Sequence, residues 1–79
     1  MKVPRDVNAS ELIKLLERLG YVIIRQTGSH IRLSKKINDN DHAITIPNHR
    51  PIKIGTLQCI VKDICIINKL DIFEFYSQL

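Results

Sequence analysis

Apolar residues recur at helical spacing near the start of the chain: Leu12, Ile13, Leu15, Leu16 and Leu19. Asn8 and Glu11 stand in front of them with the spacing of a capping box, and Gly20 supplies a stop. A first helix is expected over about 9–19. Tyr21 to Gln26 is rich in β-branched residues and reads as a strand. Thr27-Gly28-Ser29 is a turn signal. His30 to Lys35 alternates polar and apolar residues, the pattern of a half-buried strand. Lys36 to Asp41 reads as a polar hairpin loop, and His42 to Ile46 as a third strand with Ile44 and Ile46 on one face. Pro47 ends it. After the basic loop Asn48 to Lys53, Leu57, Ile60, Val61 and Ile64 trace the stripe of a second helix at about 55–65. Asp71 and Glu74 suit the cap of a short last helix packed through Phe73, Phe75, Tyr76 and Leu79. The order is α-β-β-β-α with a helical tail. This is an α+β arrangement in which a three-stranded antiparallel sheet is covered by helices on one face.

The chain has 79 residues, 44% of them hydrophobic, enough for one small core. One domain over residues 1–79 is expected, without room for a Rossmann or barrel enzyme or a cofactor enclosed in its core. The longest apolar runs are too short to span a bilayer. The start, Met1-Lys2-Val3-Pro4-Arg5-Asp6, lacks an apolar signal-peptide core. Cys59 and Cys65 are six apart, about 9 Å along a helix and about 120° around it, poorly placed for a disulfide. A cytoplasmic protein with reduced thiols is expected.

Charge changes the picture more. Lys and Arg outnumber Asp and Glu by 12 to 8, and the whole excess of four falls within residues 25–53. All three histidines, His30, His42 and His49, lie there too. Clustered cations of this kind suit a polyanion, above all nucleic acid, although a solvated basic face without a partner has the same composition.

A two-residue turn at Thr27-Gly28 pairs Gln26 with Ser29, Arg25 with His30, Ile24 with Ile31 and Val22 with Leu33. Thr-Gly is not a preferred hairpin pair, so a different loop shifts that register. In the second strand Ile31 and Leu33 face the core, which turns His30, Arg32 and Ser34 outward. An imidazole takes a proton from a hydroxyl near neutral pH, and arginines beside it bind phosphate. RNA brings its own nucleophile, the 2′-OH. A catalyst that cuts it needs a base, an acid and positive charge, but neither a deep pocket nor a metal. His30 is the candidate for proton transfer, with Arg25, Arg32 and Lys35 as phosphate contacts; taken alone, a histidine on a basic strand is more often a plain surface residue. Ser29 suits a hydrogen bond at the turn or to substrate. His49 and Arg50 offer a second proton carrier or further phosphate contacts; the plainer reading of His49 is a residue that caps or packs against the second helix. His42 reads as incidental. Gly55-Thr56 suits either anion binding at a helix start or simple capping. No metal is expected, because the histidines and cysteines show none of the CxxC, HxxxH or HExxH spacings.

Three stretches together carry a resemblance: Arg25-Gln26-Thr27-Gly28-Ser29-His30, then Ile44-Thr45-Ile46-Pro47-Asn48-His49, then Gly55-Thr56-Leu57 through Ile60. With the upstream Leu16 to Tyr21, they resemble the HicA toxins of type II toxin–antitoxin systems, over about residues 8–75. The resemblance implies a double-stranded-RNA-binding-domain-like fold and an mRNA interferase, an endoribonuclease that cuts transcripts and halts translation. It implies that His30, in the Gly-Ser-His motif, is catalytic. It also implies a HicB-type antitoxin partner that blocks the active face. Two features depart from the family pattern. A glycine often stands where the second helix ends, but this chain has Asp63-Ile64-Cys65-Ile66, and the Lys36 to Asp41 loop is acidic at its tip. The rival readings are a non-catalytic RNA-binding module and a purely protein-binding domain.

Overall fold

The computed structural model describes residues 3–79; Met1 and Lys2, part of the N-terminal stretch read above, lie outside the described residues. The elements are α1 (Ala9–Arg18), β1 (Val22–Thr27), β2 (His30–Ile37), β3 (Asn40–Pro47), α2 (Ile54–Asn68) and α3 (Ile72–Ser77). The strands form an antiparallel sheet in the order β1-β2-β3.

Local chemistry accounts for the element ends. The Glu11 carboxylate accepts from the Asn8 backbone N–H at 3.4 Å, the reach-back expected of Asn-x-x-Glu. At the other end of α1, Gly20 takes φ +104. Its N–H donates to the Glu17 carbonyl, and the Tyr21 N–H donates to the Leu16 carbonyl, both at 3.0 Å. This is a Schellman stop, with Leu16 and Tyr21 both buried. Asp71 caps α3 by accepting from the Phe73 and Glu74 N–H groups at 2.8 and 3.1 Å.

The core lies between one face of β2–β3 and the helices. Ile31, Leu33, Ile44 and Ile46 meet Leu12, Leu15 and Leu16 of α1, and Leu57, Val61 and Ile64 of α2. Each such side chain contributes about 1.5–3 kcal/mol relative to exposure. β1 differs, because all six of its residues are exposed.

Five expectations need correction. The β1–β2 turn is Gly28-Ser29, so Thr27 pairs with His30, Gln26 with Ile31 and Arg25 with Arg32. Gly28 has φ +53 at the first central position, a conformation that β-branched Thr27 would adopt only under strain. A bulge at Ile24 then shifts the ladder and sets Ile23 opposite Leu33. The 36–41 loop is also shorter than expected. Only Asn38-Asp39 turn, and Lys36 stands opposite Asp41, where opposite charges favour pairing. α2 runs to Asn68, three residues past the expected end. It stops at Lys69, in the left-handed region at φ +55, with the Leu70 N–H donating to the Cys65 carbonyl at 2.9 Å. Phe73 is exposed and does not join Phe75 and Tyr76 in the core, because it lies on the outer side of α3. α2 starts at Ile54 after Lys53, so neither Gly55 nor Thr56 is its cap.

Candidate functional site

The face of the sheet away from the helices carries the residues of interest. Pairing across three strands sets them in rows. Thr27, His30 and Pro47 form one row, and Arg25, Arg32 and Thr45 the next. Neighbouring strands lie about 4.8 Å apart, and residues two apart on a strand about 7 Å, so both arginines and His30 fit within one small patch. His30, Arg25 and Arg32 are all exposed. The Arg32 guanidinium donates to the Thr45 hydroxyl at 3.1 Å, which orients it on the sheet. Among the described residues the His30 ring has no hydrogen-bond partner. Arg25 is therefore diagonal to His30 on the same face, not directly beside it.

The segment after β3 is seated at the turn end of the sheet. The Asn48 N–H donates to the Ser29 carbonyl at 2.6 Å, and the Ile52 N–H to the Val7 carbonyl at 2.8 Å. The His49 carbonyl accepts from the Ala9 N–H at 3.3 Å. His49 thus caps α1 through its backbone, rather than the second helix, and leaves its side chain exposed. Its pairing partners bring Ser29, His49 and Arg50 to the end of the sheet where His30 lies.

Lys35 is placed elsewhere. It follows the alternation of Leu33 and therefore lies on the helix-covered face. There it joins a chain of hydrogen bonds that the sequence reading missed. Lys35 Nζ donates to Asn68 Oδ1 at 2.7 Å, and Asn68 Nδ2 donates to the Tyr21 hydroxyl at 2.9 Å. That hydroxyl lies 2.6 Å from His42 Nδ1, and His42 Nε2 lies 3.2 Å from Asp63 Oδ2. A neutral His42 with its proton on Nε2 satisfies the whole chain: the phenol donates to Nδ1, and Nε2–H donates to the carboxylate. Burial pushes the Tyr21 phenol above its usual pKa; the Asn68 hydrogen bond opposes this and the nearby Asp63 charge adds to it. His42 is therefore a fastener between the sheet and α2, not an incidental residue. One signal was available: His42 shares the parity of Ile44 and Ile46. The rest was hidden because Asn68 lay beyond the expected end of the helix.

The three histidines stand apart, on the open face, on the covered face and in a loop. Among the described residues no three His, Cys, Asp or Glu side chains gather as a metal would require. Cys59 is exposed and Cys65 buried, both free. No described helix is long and apolar enough to cross a membrane.

A family model described as HicA toxin of bacterial toxin–antitoxin matches residues 9–66, which span α1, the sheet and most of α2. No curated protein and no solved structure matches the chain.

Proposed function

The chain belongs to the HicA toxin family of bacterial toxin–antitoxin systems, and from that premise we propose that it is an endoribonuclease that cuts mRNA on the open face of its sheet. The observation that carries this reading is the patch of Arg25, Arg32 and His30: two cations and an unengaged imidazole on one exposed surface. Its antitoxin is of the HicB type and silences it by covering that face.

The chemistry follows from the substrate. The 2′-oxygen attacks the adjacent phosphorus and the 5′-oxygen leaves, so the products are a 2′,3′-cyclic phosphate and a 5′-hydroxyl. Arg25 and Arg32 neutralise the non-bridging oxygens as negative charge builds on them. His30 moves a proton, either from the 2′-OH or to the departing 5′-oxygen. The exposed side chains of Ser29, His49 and Arg50 extend the patch along the RNA. Lys35 is not part of it, because its ammonium is bound on the other face.

The test is to incubate the pure chain with RNA in EDTA and to compare it with His30→Ala. Cleavage that ends in a cyclic phosphate, and that the substitution abolishes, supports the mechanism. Cleavage that depends on an added divalent ion, or that His30→Ala leaves intact, overturns it. A His30→Ala chain that still binds RNA and still arrests growth supports the non-catalytic RNA-binding alternative.

A further inference from the structure

β1 is unlike the other two strands. Val22, Ile23 and Ile24 are 59, 47 and 55% exposed, three β-branched apolar side chains in a row. The helices pack over β3 and the core face of β2, so β1 overhangs the core. Its inner edge pairs with β2, and among the described residues nothing pairs with its outer edge. A free strand edge with apolar side chains is a template for another strand.

The charge beside this edge is one-sided. The open-face row that starts on β1 carries Arg25 and Arg32, and neither β1 nor β2 has a carboxylate to answer them; Lys35 is held by Asn68 on the other face, and Lys36 stands opposite Asp41. A second copy of the chain would bring the same cations and leave them unanswered. Phosphate would meet the arginines but gain nothing from Val22, Ile23 and Ile24. A polypeptide strand that is both apolar and acidic answers the backbone edge, the branched side chains and Arg25 together. The most exposed apolar side chains elsewhere, Ile66 on α2 and Phe73 on α3, stand on helices, which offer no free backbone groups because helices satisfy their own.

We infer that the outer edge of β1 is the docking strand for the antitoxin, which adds an extended segment there as a fourth strand, with apolar residues over Val22 and Ile24 and a carboxylate at Arg25. This rests on the antitoxin partnership proposed above. A strand in that place stands directly against the row of Arg25 and Arg32, so it withdraws one phosphate contact and narrows access to His30.

The probe is the HicB-type antitoxin encoded with the toxin, purified separately. Binding is measured by calorimetry for the wild type, for Val22→Gln with Ile24→Gln, and for Ile66→Gln with Phe73→Gln. The first pair sits at exposed positions and leaves the net charge unchanged, so RNA cleavage stays at the wild-type rate. We expect it to weaken antitoxin binding by about 30-fold or more, as loss of a central contact does, while the second pair changes little. Hydrogen exchange at the β1 amides slows in the wild-type complex, which contact through side chains alone does not produce. Affinity within about threefold of the wild type for the first pair, or unchanged β1 exchange, overturns the inference. So does loss of binding only in the second pair, self-association of the antitoxin-free chain through β1, or protection of β1 by RNA alone. An antitoxin that fails to bind the wild type overturns the partnership itself, a separable result.

Discussion

His30 and His42 lie on adjacent strands of one sheet, yet their surroundings share nothing. His30 is exposed among arginines and its ring is unengaged. His42 is held at both ring nitrogens, by the Tyr21 hydroxyl and the Asp63 carboxylate. The two cations Arg32 and Lys35 divide in the same way. They are three apart on β2, and an odd separation on a strand means opposite faces. One stays exposed on the open face, where we propose it meets a phosphate, and the other braces α2 through Asn68. The comparison teaches that residue type names the chemistry available, whereas the face decides whether that chemistry serves a substrate or the fold.

The sharpest way to break this contrast is to remove each histidine in turn. His30→Ala is expected to lower RNA cleavage by about 10²–10⁴-fold with the thermal midpoint unchanged, because an exposed ring contributes little to stability. His42→Ala is expected to do the reverse, costing about 1–3 kcal/mol in urea unfolding with cleavage retained, since the Tyr21 hydroxyl loses the acceptor for its proton in a buried site. Equal loss of activity in both variants would sink the division of roles.

The cations sharpen it further. Arg32→Ala should weaken RNA binding and make it less sensitive to salt, as loss of one phosphate contact does. Lys35→Ala should leave the salt dependence alone and lower stability by about 1 kcal/mol. A filter-binding series against salt concentration distinguishes the two.

The covered side also predicts a response to alkali. Burial raises the pKa of Tyr21, of Cys65 and of Tyr76; nearby Asp63, Asp71 and Cys65 respectively add to it. The folded chain therefore holds these protons more tightly than the unfolded chain. Their contribution is complete below the ordinary values of 9.0 for the thiol and 10.0 for the phenols, and it is lost as pH rises through the higher folded values. Thermal midpoints should fall steadily above about pH 9, and Tyr21→Phe should flatten part of that fall. The smallest effect is at the end of α2. Lys69→Gly removes a left-handed non-glycine residue and should add up to about 1 kcal/mol, read from the urea midpoint, with cleavage unchanged.

Much of the open face was legible in the sequence because alternation along β2 is a local rule. Once Ile31 and Leu33 are assigned to the core, His30 and Arg32 must face outward, and they do. The neighbour across the ladder was not legible. It depends on which two residues turn and on a bulge, and both are settled where Gly28 takes a positive φ and Ile23 seeks Leu33. The family pattern of a glycine ending the second helix was no guide either. Here α2 continues to Asn68 and stops at a lysine, held by a hydrogen bond from Leu70 and by the packing of Cys65.

The sequence by itself determined the order of elements, the buried stripes of α1 and α2 and the outward set of β2. Those follow from periods of 3.6 and 2, which need only neighbours in the chain. Tertiary structure alone decided that Arg25 stands opposite Arg32, that the Lys35 ammonium meets Asn68, that His42 is tied to Tyr21 and Asp63, and that β1 overhangs the core. Each of these depends on the distance between groups that lie far apart in sequence, and hydrogen bonding and burial act on that distance and not on sequence order.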